Sequence, residues 1–395
     1  MNYNIPLMSD NITRNDIDEL VKFLQQDPIP RLTNGPKVEE LEKKWSEWLG
    51  VRHSVFVNSG TSANYMTMQL LYYKYGSCEV IVPPLTWVSD VASIINTGHN
   101  PVFVDINLSN LSFDIKKLKA AITPKTKAIF LTHVLGLNGI TDELLELCKE
   151  NDLFLVEDVC ESHGATFKDK KAGSIGDVSN FSFYFAHHMS TIEGGMVCTN
   201  NDEFYDILRF SRSHGMVREC KSEKFKEQVK LDHPDLNSDF IFLSPAYNFR
   251  STELNAVLGL SQLNSLDKNN DKRKEHFKYF LSRLDSNKYI TTLDIEGQSN
   301  YAFIVIMKDS DIDQRNKIEK MLKDNNIEFR RGLSGGGNQL RQPYIDKHAE
   351  KIARSWQVGM SDETLSQNFA NVEHVHNYSW YIGNYPSLEK EKITN

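Results

Sequence analysis

The chain has few cysteines, and no two of them are close in sequence. Cys78, Cys148, Cys160, Cys198 and Cys220 are scattered singly over 395 residues, without a C-x-x-C pair. That spacing speaks against a disulfide framework and against a zinc or iron–sulfur site, so no metal is expected. Long apolar runs are missing as well. No stretch reaches the roughly 18 residues a membrane span requires, so no membrane partner is expected. The start, MNYNIPLMSDN, lacks the basic and then apolar pattern of a signal peptide. Positive charge is not in excess: 45 Lys and Arg stand against 53 Asp and Glu, a formal net charge of −8. A nucleic-acid partner would call for a basic patch, and none is expected. Together these absences point to the cytoplasm.

The composition that remains is ordinary for a globular chain, at 40% hydrophobic and 25% charged residues. The length suits one large domain and a smaller one, since single cores stop growing at roughly 250–300 residues.

Short apolar runs alternate with helical patterns through the first two-thirds. Val38, Leu41, Trp45 and Trp48/Leu49 recur at helical spacing between Gly35-Pro36 and Gly50. SVFV (54–57), EVIV (79–82), PVFV (101–104), KAIFLTHV (127–134) and LFLVED (153–158) read as strands. Between the first two, a helix is expected with Tyr65, Met68 and Leu71/Tyr72 on one side. Between the last two, TDELLELCKEN reads as a helix capped by Thr141. This alternation predicts a mostly parallel sheet covered by helices, an α/β fold. Ligands of such sheets gather at the carboxyl ends of the strands, which makes Thr61, Trp87, Asp105 and Asp158 candidates by position. Beyond about residue 265 the pattern becomes a charged helix, a strand at YAFIVIM, a helix DQRNKIEKMLKDNN and a strand IEFR. A large domain over 1–265 and a smaller α+β domain over 266–395 are therefore expected, with Gly335-Gly336-Gly337 as a flexible loop.

Several motifs carry chemistry. NSGTSAN (58–64) places Gly60 and Thr61 between a strand and a helix N-terminus, where free N–H groups and the helix dipole can cradle a phosphate. In PPLTWVSD (83–90), Trp87 can stack on an aromatic ring. VEDVCESHGA (156–165) ends its strand in Glu157-Asp158, and a carboxylate there can pair with a protonated pyridine nitrogen. Glu161 can reach the same site from the next turn, while His163 reads as structural. A core tryptophan, a solvated strand-end acid and a plain strand-to-helix turn are the bland readings of the same residues.

The stretch NFSFYFAHHMSTIEGGMVCTND (180–202) resembles the nucleotide-sugar aminotransferase family, whose fold is of the pyridoxal-phosphate-dependent, aspartate-aminotransferase type with a seven-stranded sheet. There a serine is followed five positions on by the lysine that anchors the cofactor, and then by E-G-G. Here Ser182 stands at the serine position, Glu193-Gly194-Gly195 matches, and the lysine position holds His187. PAYNFRSTELNAVLGLSQL (245–263) is similar to the family segment whose asparagine reaches the cofactor phosphate of the neighbouring subunit. By resemblance that is Asn248, which implies a homodimer; the same segment also reads as a helix start capped by Ser251 or Thr252. GGGNQLRQPYI (335–345) and NYSWYIGNYPSL (377–388) resemble the sugar-nucleotide 3-dehydratase branch, in its form without an iron–sulfur cluster.

Imidazole cannot form a stable imine with an aldehyde, so a histidine at this position keeps only the proton-moving role of the lysine. The resemblance then implies pyridoxal 5′-phosphate and pyridoxamine 5′-phosphate held without a covalent bond, with His187 as catalytic residue. It further implies removal of the C-3 hydroxyl from a nucleotide-diphosphate-linked 4-keto-6-deoxy sugar, GDP being the preferred carrier, with L-glutamate as amino donor. Arg331 and Arg341 are the candidates for the substrate diphosphate, with Arg330 beside them. Two alternatives stay open: an aminotransferase using a relocated lysine (Lys168, Lys170 or Lys171), and an inactive cofactor-binding regulatory protein.

Overall fold

The computed structural model describes residues 3–9, 11–352, 357 and 359–394. Each of the first three helices has a local reason to start. The helix α1 (Arg14–Leu24) begins with a capping box in which Thr13 and Asp16 satisfy each other's N–H groups. Next, α2 (Pro36–Leu49) has proline in its first turn and ends at Gly50, whose φ of 86° favours glycine. Ser59 caps α3 (Gly60–Tyr75) by accepting from the Ser62 N–H. One face of α3 was expected to be apolar, but most of its length is buried, Met66 and Leu70 included, while Tyr72 is exposed.

Seven strands form the large sheet: β1 (His53–Val57), β2 (Glu79–Val82), β3 (Asn100–Phe103), β4 (Thr126–Thr132), β5 (Phe154–Asp158), β8 (Val178–Ser182) and β9 (Gly195–Thr199). A two-residue hairpin, β6 (Thr166–Phe167) with β7 (Lys170–Lys171), lies between β5 and β8. The order in the sheet is β1-β9-β8-β5-β4-β2-β3. Every pair from β8 to β3 is parallel, and β9 runs antiparallel to both its neighbours. The sheet is the mostly parallel one the alternation predicts. Its register aligns Thr132, Asp158 and Asn180 across three strands, and Ser182 with Gly195 across β8 and β9. The run 127–134 was read as one strand, but β4 stops at Thr132. A short turn with Leu135 at φ 49° follows.

The helix α2 fixes β8 from one side. Trp45, fully buried, meets Phe181 and Phe183 edge-on at ring-centroid distances of 5.0 and 4.9 Å. Burying a side chain of this size stabilises the fold by about 1.5–3 kcal/mol or more.

A second, three-stranded antiparallel sheet is built from β10 (Ala302–Ile306), β11 (Phe329–Arg331) and β12 (Ser379–Gly383), in the order β10-β12-β11. All three strands fall beyond residue 265. The first residues of the N-terminal segment run beside the chain leading into β11. Ile5 bridges Ile327, the Glu328 N–H donates to the Ile5 carbonyl at 2.9 Å, and the Leu7 N–H donates to the Glu328 carboxylate at 3.0 Å. In the opposite direction, Gln357 pairs with the edge strand β3 through both polar groups of Phe103, at 3.1 and 2.8 Å.

Candidate active site

A cavity of about 420 Å³ opens where the strand ends, the start of α3 and the second sheet converge. Its volume falls in the range usual for small-molecule sites.

One wall is the turn from β1 into α3. Ser59 takes up the Ser62 N–H, so the N–H groups of Gly60 and Thr61, at the first turn of the helix, have no intrahelical acceptor. Ser182, at the end of β8, lies directly against this turn. A Cβ on Gly60 would come 2.6 Å from the Ser182 Cβ and 3.2 Å from the Cys160 Sγ, so only glycine allows this approach. Gly195 backs the turn from β9, where a Cβ would sit 2.4 Å from the Ser59 carbonyl oxygen. The result is a tight cradle of N–H and hydroxyl donors suited to an anion.

The floor is acidic. Asp158 ends β5, nearly buried, and its Oδ1 accepts the Cys160 N–H at 2.8 Å. Behind it lies Asp90, which sequence reasoning missed. Burial, and then the neighbouring Asp158 carboxylate, pushes the Asp90 carboxyl well above the usual range. Asp90 is held by Asn64 at 2.7 Å, by the Thr132 hydroxyl at 3.2 Å and by Thr86. Asp158 is the member of the pair that faces the cavity. His133 was missed too. Its Nδ1 accepts the Gly139 N–H at 3.1 Å, so Nε2 carries the proton and donates to Glu157 at 3.1 Å. No apolar periodicity marks either residue; both are found only once β4 and β5 are in register.

Trp87 stands on the opposite side, half exposed, just before the helix Val88–Asn96. Glu161 closes the far end. It accepts from the Leu135 N–H at 3.2 Å and from Ser334 Oγ at 3.2 Å, and burial raises its carboxyl to about 7.

His187 projects into the cavity from the loop between β8 and β9. Its Nδ1 donates to the Cys160 carbonyl, so Nε2 carries the lone pair in the neutral ring. Burial lowers its basicity below that of an ordinary histidine. The adjacent His188 points elsewhere: it is buried, and its Nε2 donates to the Ser299 carbonyl at 2.9 Å. Among the described residues, no lysine lines the cavity. Lys168 pairs with Asp142 at 2.6 Å and Lys171 donates to the Trp48 carbonyl at 2.6 Å, both on the β6–β7 hairpin. Lys170, on the same hairpin, is exposed, so none of the three lysines of the relocated-lysine alternative lines the cavity.

Gly60, Thr61, Trp87, Asp158, Glu161, Ser182 and His187 are thus brought together. Four other candidates are not. Asp105, past the edge strand β3, is fully engaged: it accepts the N–H groups of Asn371 and Val372 at the start of the helix Ala370–Tyr378 and binds Lys117 at 2.8 Å. Arg341 is held by Glu373 and by Asp362, the latter at 2.8 Å, and lies outside the cavity. Arg331 turns toward Glu319, at 3.6 Å, on the helix Ile312–Asp324. Successive side chains of a strand face opposite ways, so it is Arg330 that lines the cavity, beside Tyr381. Asn248 is exposed and outside its own chain's cavity, where its Oδ1 accepts the Arg250 N–H at 3.2 Å. The helix Glu253–Leu263 after it is capped by Thr252. Nor is Gly335-Gly336-Gly337 a loose loop. It is a tight turn with φ of 60°, 78° and 97°, packed so that a Cβ on Gly335 would meet the Thr86 carbonyl at 2.1 Å.

A family model for the DegT/DnrJ/EryC1/StrS aminotransferases matches residues 10–371. The chain belongs to that family. Among its relatives, GDP-4-keto-6-deoxy-D-mannose 3-dehydratase of Yersinia pseudotuberculosis is 31% identical over 99% of this chain and 97% of its own length. Two solved structures of GDP-4-keto-6-deoxymannose-3-dehydratase share the fold over 99% of this chain and 98% of theirs. One, a mutant with bound GDP-perosamine, superposes with a TM-score of 0.84 at 28% identity. The other holds a trapped PLP-glutamate geminal diamine and superposes with a TM-score of 0.83 at 26% identity. The pyridoxal-phosphate-type fold read from the sequence is therefore the fold of this DegT/DnrJ/EryC1/StrS family member.

Proposed function

We propose that this chain is a sugar-nucleotide 3-dehydratase. Its substrate is a nucleotide-diphosphate-linked 4-keto-6-deoxy sugar, GDP being the preferred carrier, and L-glutamate is the amino donor. The pathway it serves is deoxysugar synthesis for surface polysaccharide. The observation that carries this reading is His187, facing the cavity at the position of the family's lysine, with no lysine among the described residues that line the cavity. The dehydratase relatives support the same assignment.

The residues fit pyridoxal 5′-phosphate and its amine form. The cradle that a Cβ on Gly60 would fill suits the phosphate, held by Gly60, Thr61 and Ser182. Asp158 would hold the ring nitrogen, Trp87 would cover the ring face, and Glu161 would meet its polar edge. When bound, the cofactor supplies the amine for the C-4 ketone and a ring that accepts electrons.

The proton work belongs to His187. Its Nε2 takes up a proton as the neutral base; the resulting imidazolium then stands as the acid for the departing C-3 hydroxyl oxygen. The Cys160 carbonyl holds the ring in the required tautomer throughout. With no lysine among the described residues that line the cavity, the cofactor is held without a covalent bond, so the amine product is free to leave and hydrolyse to a 3-deoxy ketone and ammonia.

Asn248 reaches the cradle of a neighbouring subunit in this reading, so the working form is a homodimer. Its exposure at the surface of its own chain supports this. No helix among the described residues is long and apolar enough to cross a membrane, in keeping with a cytoplasmic site of action.

The test is product analysis by mass spectrometry after incubation with L-glutamate and a GDP-4-keto-6-deoxy sugar. The expected products are 2-oxoglutarate, ammonia and a sugar nucleotide lighter by one oxygen. A stable 4-amino sugar with its C-3 oxygen intact would make the enzyme an aminotransferase instead.

A further inference from the structure

The charged groups that line the cavity are mostly acids: Asp158, Glu161 and Glu193. Every ligand of the proposed reaction is also an anion, whether through a diphosphate or through carboxylates. Acids repel such ligands, so a compensating cation is needed where they enter. Among the described lining residues there is one lysine or arginine, Arg330.

Its placement follows from the strand. Arg330 lies opposite Tyr381 in the β11–β12 register, and both side chains line the cavity. The guanidinium is held at its rim: Nη2 meets Glu328 Oε1 at 3.2 Å and Nη1 donates to the Phe329 carbonyl at 3.2 Å. A guanidinium has five N–H donors in a planar fork, so donors remain for a ligand. The Arg330 side chain is 55% exposed, while that of its partner Glu328 is 19% exposed. The second oxygen of Glu328 holds the Leu7 N–H, and Leu7 and Met8 line the same end of the cavity. An arginine tethered on one side, open on the other and flanked by apolar and tyrosine surface is suited to grip a planar or tetrahedral oxyanion bidentately.

We propose that Arg330 is the residue that binds the oxyanion of the incoming ligand and so helps to set which ligands enter. The proposal rests on the dehydratase reading only for the identity of that ligand. Two sources share the chemistry: the diphosphate of the sugar nucleotide and a carboxylate of the amino donor.

The test uses the cofactor-loaded protein and the variants R330M, R330K and R315M, the last removing a partly exposed arginine on the helix Ile312–Asp324, outside the cavity, as a charge control. Calorimetry measures binding of GDP and of inorganic pyrophosphate, and cofactor absorbance follows the half-reaction with L-glutamate. Losing a charge-assisted pair should weaken binding on the order of 10- to 100-fold in R330M. R330K, which keeps the charge but not the fork, should fall between R330M and wild type, and R315M should match wild type. A loss confined to GDP and pyrophosphate assigns Arg330 to the diphosphate; a loss confined to glutamate assigns it to the carboxylate. Wild-type affinity of R330M for all three probes, with an unchanged melting temperature, would overturn the proposal. So would a wild-type protein that binds none of them. If the wild type binds GDP in an Arg330-dependent way but yields no 3-deoxy product, the dehydratase reading fails and Arg330 keeps its role.

Discussion

His187 and Asp158 are joined through a single residue: Asp158 holds the N–H of Cys160, and His187 donates its Nδ1 proton to the carbonyl of the same Cys160. One short piece of backbone thus orients both the His187 ring and the acid under the cavity.

The pH dependence follows from the neutral ring. Burial lowers the basicity of His187, and the base is the unprotonated form. Activity therefore rises with pH through a value below the ordinary ~6.5 and is fully developed above it. A pH profile of kcat/KM should show its acidic limb on that lower side. His187→Asn should cut kcat on the order of 100-fold or more. An acidic limb at or above the ordinary value would contradict this assignment.

Replacing His187 by lysine should restore what the family usually has at this position. Borohydride reduction of His187→Lys, followed by digestion, should yield a pyridoxyl-lysine peptide from the 183–194 loop, and dehydration should be lost. The same treatment of the wild type should yield no such peptide. An adduct on any native lysine would remove the basis of the dehydratase reading.

Asp158→Asn is nearly isosteric, and its amide oxygen can still accept the Cys160 N–H. The fold and melting temperature should hold, while turnover should fall on the order of 100-fold because the ring nitrogen loses its anionic partner. Near-wild-type turnover would point to another acid, Asp90 being the next to test.

Mixing His187→Ala and Asn248→Ala chains probes the shared site. Subunit exchange should produce dimers with one intact and one doubly damaged site, so activity should partly return. Proven heterodimers with no recovery would place the work of Asn248 within its own chain.

Stability depends on a different pair. Glu42 and Arg212 are both buried, with 2.5 Å between them, and Glu42 also accepts the Phe56 N–H at 2.8 Å. Glu42→Ala leaves Arg212 buried without its carboxylate and should cost about 3–5 kcal/mol in urea unfolding. A cost below about 1 kcal/mol would mean that water reaches the arginine.

Much of this was legible in the sequence. The strand runs and turn residues gave the parallel sheet, and the serine-plus-five register picked His187 over His188; of the two, His187 lines the cavity and His188 donates to the Ser299 carbonyl. What stayed hidden was set by relations between distant segments. Asp90 and His133 acquire their roles only through β4–β5 pairing and burial. Arg330 and Arg331 are adjacent and chemically identical, and only strand phase against Tyr381 distinguishes them. Arg341 resembled a phosphate ligand until the fold brought Glu373 and Asp362 to it. The N-terminal segment carries no periodicity to announce that it lies beside β11.

The loop that carries His187 hangs from the β8–β9 ladder, and its two ends are tied by backbone bonds: the Phe183 N–H donates to the Gly194 carbonyl at 2.8 Å, and the Thr191 N–H to the Phe183 carbonyl at 2.9 Å. Among the described residues, no helix cap and no strand pairing uses the side chain at position 187. A change of residue there can redirect the chemistry without asking the rest of the molecule to refold. The ladder and its ties form a frame that presents whatever side chain stands at position 187 to the cavity.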